Sequence, residues 1–293
     1  MSDSIRSQFL NDNGFHAVRL TQDEVLKHID TVVETIKMQL SDINQRQDAP
    51  QRQPLHSLTE EGRGGAAAFL FDMDGVLFDS MPGHAVAWVR AVERYGLSMT
   101  AEEVYMNEGR TGAGTINALA QRTWHRDATE LEVRDIYAAK SEEFNAYFAA
   151  QGEAPVVDGV KDVLDIVKAR GLMRVIVTGS GQLSLLDNLN RHFPGQFTRE
   201  LMVTAFDVTR GKPDPEPYLM GLQKAGVAAA EAVVVENAPL GIRSARAAGI
   251  YTIAVNTGPL PDSALWEAGA NLVVSDMHAL AARLHDWNGC LPL

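Results

Sequence analysis

The stretch Phe71-Asp72-Met73-Asp74-Gly75-Val76-Leu77 decides how the rest of this chain is read. Two carboxylates stand one residue apart where the apolar run Ala66–Phe71 ends and a glycine opens a turn. A short apolar run of this kind reads as a buried strand, and in open α/β sheets ligands bind at the carboxyl ends of strands. Asp72 would then end a strand facing that crevice, and Gly75 would let the backbone swing away so that Asp74 faces the same spot. Paired carboxylates hold a divalent cation or divide acid and base roles between them. The plainer alternative is a strand-ending aspartate followed by an Asx-turn aspartate, and the remainder of the chain decides against it.

From Ala66 onward, the short apolar runs Ala66–Phe71, Met173–Val177, Leu201–Val203, Ala232–Val235, Tyr251–Val255 and Asn271–Val274 alternate with helical patterns. That alternation predicts an α/β protein with a parallel sheet covered by helices. Between about residues 82 and 155 no comparable run occurs. His84–Tyr95, Thr115–Trp124 and Leu131–Phe148 carry helical spacing, which predicts a helical insertion after the first strand.

Residues 1–64 differ in character. Thr21-Gln22-Asp23-Glu24 fits a capping box, and Val25, Ile29, Val32, Val33, Ile36 and Leu40 follow helical spacing, predicting one amphipathic helix over Thr21–Ile43. Gln45–Gly65, rich in Gln, Arg, Pro and Gly, reads as a linker. A lone amphipathic helix must bury its stripe, on its own body or by self-association with a second subunit. The expected domains are residues 1–64 (helix and linker), 65–82 with 156–293 (the sheet domain), and 83–155 (the helical insertion).

Composition bounds the partners. The chain has 293 residues, 45% apolar and 22% charged, enough for a large core. Its net charge of −12 argues against nucleic acid or an anionic membrane as the main partner. Cys290 is the single cysteine, which excludes an intrachain disulfide and a cysteine-based metal site. With no apolar run near the ~18 residues that span a bilayer, and no signal-peptide core near Met1, a cytoplasmic location is expected.

Four features fall at or just after the ends of strand-like runs. Asp72/Asp74 is the first. In Val177-Thr178-Gly179-Ser180-Gly181 a hydroxyl is followed by glycines opening a helix, offering backbone N–H groups to an anion. Gly211-Lys212-Pro213-Asp214-Pro215 places a lysine in a loop stiffened by two prolines. Val235-Glu236-Asn237-Ala238-Pro239-Leu240-Gly241 puts a carboxylate and a carboxamide at another strand end, oxygen donors that suit Mg²⁺. Phosphoryl transfer uses all four. A carboxylate attacks phosphorus to form an aspartyl-phosphate, and Mg²⁺ and Lys212 compensate the meeting of two anions. Thr178, Gly179 and Ser180 would hold the transferring oxygens, and Asp74 would serve as acid and base.

With these motifs, and with Glu236-Asn237-Ala238-Pro239-Leu240-Gly241-Ile242-Arg243-Ser244-Ala245 as the fourth, the chain resembles the haloacid dehalogenase superfamily, in particular its β-phosphoglucomutase-like branch. The resemblance covers about residues 66–280. It implies a Rossmann-like core with a helical cap inserted after the first strand, the N-terminal helical extension lying outside it. It also implies Asp72 as nucleophile, Asp74 as acid/base, Thr178 and Lys212 as phosphate ligands, and a magnesium site using Asp72, the Asp74 carbonyl and the Glu236/Asn237 pair.

The chain departs from that pattern in two places. The second acid of the fourth motif is here Asn237, which removes one negative charge from the metal site. In the cap segment Asn107-Glu108-Gly109-Arg110-Thr111-Gly112, Glu108 replaces a lysine and Gly112 an arginine that hold a second phosphate in β-phosphoglucomutases, with Arg110 as a substitute. Pairing Asn237 with a cap glutamate resembles the inorganic pyrophosphatases of this branch. Glu108 is therefore expected to reach the magnesium shell and restrict the substrate to a compact one such as pyrophosphate, against the alternative of a glutamate facing solvent. His84 is expected either beside the substrate or as a hydrogen-bonded linker, and Trp88 and Trp124 as cap core. The glycines of 109–114 lack the strand and the Gly-Lys-Ser/Thr ending of a nucleotide loop. A phosphosugar mutase and a non-catalytic phosphometabolite-binding protein are the rival functions.

Overall fold

The computed structural model describes residues 65–180 and 183–289, apart from the side chains of 183–187. All of these belong to the unit Ser57–Leu293. The helix expected over Thr21–Ile43, the linker up to residue 64 and Cys290 lie outside the described residues.

Strands β1 (Ala68–Phe71), β2 (Met173–Val177), β3 (Met202–Val203), β4 (Ala232–Glu236), β5 (Tyr251–Val255) and β6 (Leu272–Val274) form one sheet in the order β3-β2-β1-β4-β5-β6. All neighbouring pairs are parallel. The helices that follow them cover both faces, so the strands are predominantly apolar, with Arg174 in β2, Glu236 at the end of β4 and Thr252 in β5 as the polar exceptions. Successive residues of β1 supply opposite layers. Phe69 and Phe71 join Val163, Leu164, Ile176 and Val233 on one side, and Ala68 and Leu70 join Val175, Tyr218 and Val234 on the other. Each fully buried side chain of this size contributes about 1.5–3 kcal/mol by leaving water.

Because β1 lies between β2 and β4, with Phe71 level with Ile176 and Val235, the residues that end these strands come together. Three motifs spread over some 165 positions of chain thus converge, from Asp72 to Asn237.

Between β1 and β2 come α1 (Met81–Glu93), α2 (Ala101–Met106), α3 (Gly112–Trp124), α4 (Glu130–Gln151) and α5 (Val160–Ala169), and α6 (Leu183–His192), α7 (Glu216–Ala225) and α8 (Pro239–Ala247) follow β2, β3 and β4. The first four carry a separate apolar cluster built from Met81, Trp88, Val92, Ile116, Leu119 and Ile136, with Trp124 packed against its edge. The helical insertion is therefore present. Helix α1 starts three residues earlier than its apolar pattern, because Pro82 is compatible with a first helical turn. Helix α2 was not legible from spacing: it has six residues and is defined by the Thr100/Glu103 capping box. Strand β1 starts at Ala68 because Ala66 and Ala67 donate their N–H groups to Gly289 and Glu231 outside the sheet. No helix among the described residues is long and apolar enough to cross a membrane.

Candidate active site

Asp72 follows β1 directly and is 2% exposed. Lys212 Nζ donates to Asp72 Oδ1 at 2.6 Å, to Glu236 Oε1 at 2.6 Å and to the Val177 carbonyl at 3.1 Å. An ammonium has three donors, so all of them are committed. Glu236 is equally saturated. Its Oε1 also accepts from Tyr218 Oη at 2.7 Å, and its Oε2 accepts from the backbone N–H groups of Asn237 and Ala238 at 3.0 and 3.3 Å. A Cβ on Gly241 would lie 1.8 Å from Glu236 Oε1, so only glycine lets helix α8 (Pro239–Ala247) approach this carboxylate. Burial pushes the Asp72 carboxyl up to about 8; the Lys212 charge opposes this, and the charges of Glu236 and Asp74 reinforce it.

Asp74 reaches the same pocket because Gly75 turns the chain at φ 80°. A Cβ there would lie 2.0 Å from Asn237 Nδ2, so this glycine serves both the turn and the close approach. Asp74 Oδ1 accepts from Ser80 Oγ at 2.5 Å and lies 3.2 Å from His84 Nε2. His84 Nδ1 lies 2.8 Å from Lys140 Nζ. A charged lysine can only donate, which leaves Nδ1 as acceptor and places the imidazole proton on Nε2, facing Asp74. Burial works to raise the Asp74 carboxyl, but His84, Ser80 and Lys140 outweigh it and hold Asp74 below the ordinary value. Lys140 is 2% exposed, and burial lowers its ammonium to about 7. The result is a buried line of polar groups running from Asp74 through His84 to α4.

Thr178 and Ser180 follow β2; the Thr178 hydroxyl accepts from the Ser180 N–H at 3.0 Å. With Gly179 they form one wall of a cavity of about 60 Å³, together with Asp72, Asp74, His84, Lys140, Glu108 and Arg110. The solvent-facing alternative for Glu108 fails, since the residue is 9% exposed and its Oε2 accepts from Asn237 Nδ2 at 3.1 Å. Glu108 Oε1, Asn237 Oδ1 and Arg110 Nε are buried with no hydrogen-bond partner. Burial raises the Glu108 carboxyl well above its ordinary value, and the charges of Asp72, Glu236 and Asp74 add to that.

These orphaned oxygens test whether the site suits a cation. Among the described residues no three His, Cys, Asp or Glu side chains are arranged as a metal cage. A cation would instead rest on the Asp72 carboxylate, the Asp74 carbonyl, the Asn237 amide oxygen and the Glu108 carboxylate; Glu236, also expected among the ligands, has both oxygens engaged by Lys212, Tyr218 and two backbone N–H groups and is left out of the set. That is an all-oxygen set with few charges, suited to a hard divalent ion that keeps several waters. Two of these groups hold oxygens that nothing else satisfies, and the neighbouring negative charges that add to burial in raising Asp72 and Glu108 are an imbalance a divalent ion would reduce. The residues fit.

Of the residues expected from the sequence, Asp72, Asp74, Thr178, Gly179, Ser180, His84, Glu108 and Arg110 line one pocket, with Lys212, Glu236 and Asn237 directly behind it. Sequence reasoning missed Ser80, Lys140 and Tyr218. Lys140 left a trace: it interrupts the apolar stripe Ile136, Ala139, Phe144 of α4, where an ammonium is expensive to bury.

A Rossmann-like sheet carrying paired aspartates and a hydroxyl at adjoining strand ends, with a loop lysine folded onto them, fits a hydrolase of the phosphatase class. Residues 69–255 match the model of the haloacid dehalogenase-like hydrolase family. The chain is 33% identical to hexitol phosphatase A of Escherichia coli (strain K12), over 64% of this chain and 82% of that protein. It is 31% identical to the phosphorylated carbohydrates phosphatase of Thermotoga maritima, over 71% of this chain and 93% of that protein. Among solved structures, a protein from Bacteroides vulgatus provisionally named beta-phosphoglucomutase is 52% identical, with a TM-score of 0.72 over 76% of this chain and 90% of that one. The chain belongs to the haloacid dehalogenase-like hydrolases, in the branch of β-phosphoglucomutase-like proteins and sugar phosphatases.

Proposed function

We propose that this enzyme is a magnesium-dependent phosphohydrolase acting through an aspartyl-phosphate on Asp72, with inorganic pyrophosphate as the favoured substrate. The observation carrying the substrate is Glu108, turned inward from the cap onto Asn237 beneath a cavity of about 60 Å³. At about 10–15 Å³ per water-sized position, that is room for roughly four to six such positions, a better match to a compact anion than to a hexose phosphate. Bound Mg²⁺ would supply positive charge to the transferring phosphoryl group.

The protein's own groups do the rest. Asp72 attacks in line while Lys212 fixes the orientation of its carboxylate. Thr178, Gly179 and Ser180 receive the phosphoryl oxygens. Asp74, a carboxylate held by Ser80 and His84, takes up a proton as the anionic substrate enters, gives it to the leaving oxygen and afterwards takes one from the attacking water. Glu236, with both oxygens engaged, holds Lys212 and the start of α8. Arg110 and Lys140 offer cations to the distal phosphate from the cap side of the pocket.

A second reading, a sugar-phosphate phosphatase, draws on Met81, Trp88, Met99 and Val104, which give the cap side of the pocket an apolar wall, and on the named activities of the two relatives. A phosphate-release screen with pyrophosphate, hexose phosphates and nucleotides ranks the two. Faster turnover of a hexose phosphate would overturn the pyrophosphate reading. In Glu108→Ala, selectivity should move toward hexose phosphates, and unchanged selectivity would remove Glu108 from the argument.

A further inference from the structure

The cap loop 108–112 meets the core with almost no side chain between them. A Cβ on Gly179 would lie 2.4 Å from the Gly109 carbonyl oxygen and 2.8 Å from its carbon. A Cβ on Gly211 would lie 2.5 Å from Thr111 Cγ2 and 2.9 Å from the Thr111 nitrogen. From the cap side, a Cβ on Gly109 would lie 2.6 Å from Lys212 Cδ. Gly109 also has a φ of 82°, which by itself favours glycine. Gly179 and Gly211 have no such need, because neither has a φ in the left-handed region. Their φ values alone do not call for glycine. What excludes an alanine is the cap.

Both core glycines lie beside the chemistry. Gly179 follows Thr178 in the anion-binding turn, and Gly211 precedes Lys212. The Glu108–Asn237 hydrogen bond crosses the same seam, and the buried, unpartnered Glu108 Oε1 and Asn237 Oδ1 show that the closed seam leaves acceptor oxygens available to a ligand. The cavity walls come from both sides: Glu108, Gly109 and Arg110 from the cap, Asp72, Thr178 and Gly179 from the core. The depth to which the cap descends therefore sets the height of the cavity.

We propose that Gly179 and Gly211 are specificity-determining residues: their missing side chains let the cap loop settle directly on the two phosphate-side loops, and that depth confines the closed site to compact substrates. The inference deepens the reading of a small substrate given above, and it applies to any compact phosphoryl compound. A Cβ at Gly211 needs about 1 Å of separation to turn its 2.5 Å contact into an ordinary one of 3.4 Å. A lift of that size misplaces the cap groups by an amount that costs about 100-fold in rate where geometry is tight. A bulkier substrate, which needs the extra height, loses less or gains.

The test compares kcat/KM for acetyl phosphate and for a hexose 6-phosphate, so that it stays readable if pyrophosphate is not a substrate. Gly211→Ala should shift the ratio of the two by about 10-fold or more toward the hexose phosphate. Thr111→Ser removes the methyl group struck by the new Cβ and keeps the hydroxyl that caps α3 through Gly114. Thr111→Ser alone should leave the ratio unchanged, and Gly211→Ala/Thr111→Ser should recover part of it. Equal losses on both substrates, or no recovery in the double variant, would overturn the proposal. If Gly211→Ala turns over neither substrate, amide hydrogen exchange of residues 108–112 in the intact protein decides: faster exchange than wild type supports the proposal, and equal exchange overturns it. Failure of pyrophosphate in the wild type would strike the proposed function alone.

Discussion

Replacing Lys140 by methionine should make the protein more stable and less active, with a pH dependence that identifies the cause. The side chain is 2% exposed, and burial lowers its ammonium from 10.5 to about 7. A lysine with a lowered folded-state value binds fewer protons folded than unfolded between those two values, so wild-type stability rises as pH climbs from about 7 to 10.5. Below pH 7 the full penalty applies. At about 1.36 kcal/mol per pH unit, the gap corresponds to something of order 5 kcal/mol. Loss of the ammonium's approach to the Phe144 ring, at 4.9 Å, and to Trp88 and Tyr137 offsets about 1–2 kcal/mol of that, and the buried His84 Nδ1 left without its donor offsets about 1–3 more. Lys140→Met should therefore be more stable than wild type by up to about 3 kcal/mol at pH 7. The advantage should be about 3 kcal/mol smaller at pH 9.5. Urea unfolding of both proteins at pH 6, 7, 8.5 and 9.5 reads this, with the denaturant slope checked for constancy. Turnover should fall about 10-fold or more, because His84 loses the partner that fixes its proton toward Asp74. A variant less stable than wild type at pH 7, or one with the same stability-versus-pH slope, would refute a buried, strained ammonium at this position.

Asp72→Asn should abolish phosphate release and leave no label on the protein from radiolabelled substrate. Asp74→Asn should accumulate label, since hydrolysis of the intermediate then lacks its base; label in Asp72→Asn would place the nucleophile elsewhere. Gly75→Ala combines a φ of 80° with a Cβ 2.0 Å from Asn237 Nδ2. It should lower stability by about 1–3 kcal/mol and abolish any thermal shift on adding Mg²⁺; a retained shift would detach Asn237 from the metal. Tyr218→Phe removes the hydroxyl that donates to Glu236 at 2.7 Å. A loss of about 1.5–3 kcal/mol in chemical denaturation is expected, with kcat falling more than KM changes, and an unaltered kcat would show that Lys212 keeps its place without Tyr218.

The sheet was legible because buried parallel strands are written as continuous apolar runs, and a strand end followed by a polar residue marks the crevice face. Asp72, Thr178 and Glu236 could be placed on that logic alone. Lys212 could not be placed so well, since no periodicity shows that a loop lysine folds back onto a strand 140 residues away in sequence. The cap was legible as helices but not as surfaces. Whether Glu108 faced water or Asn237 depends on how four helices pack, and Lys140 enters the site only because α4 lies along α1, which carries His84. Ser80 was invisible for a simpler reason: a lone serine before a helix reads first as an N-cap, and here its hydroxyl goes to Asp74 instead of capping α1.

The fully occupied ammonium of Lys212 has a consequence for when its charge is useful. An anion arriving in the pocket finds no spare proton there, so the lysine can welcome it only by letting go of Asp72, Glu236 or Val177. In the resting complex that exchange gains little. As the proposed bond from Asp72 to phosphorus forms, the aspartate oxygen loses its negative charge and its hold on the lysine weakens, while the leaving side of the phosphoryl group grows more negative. On that proposed mechanism the proton would swing over at that moment. Such a lysine would add little to substrate affinity and would direct its attraction to the passage through the transition state.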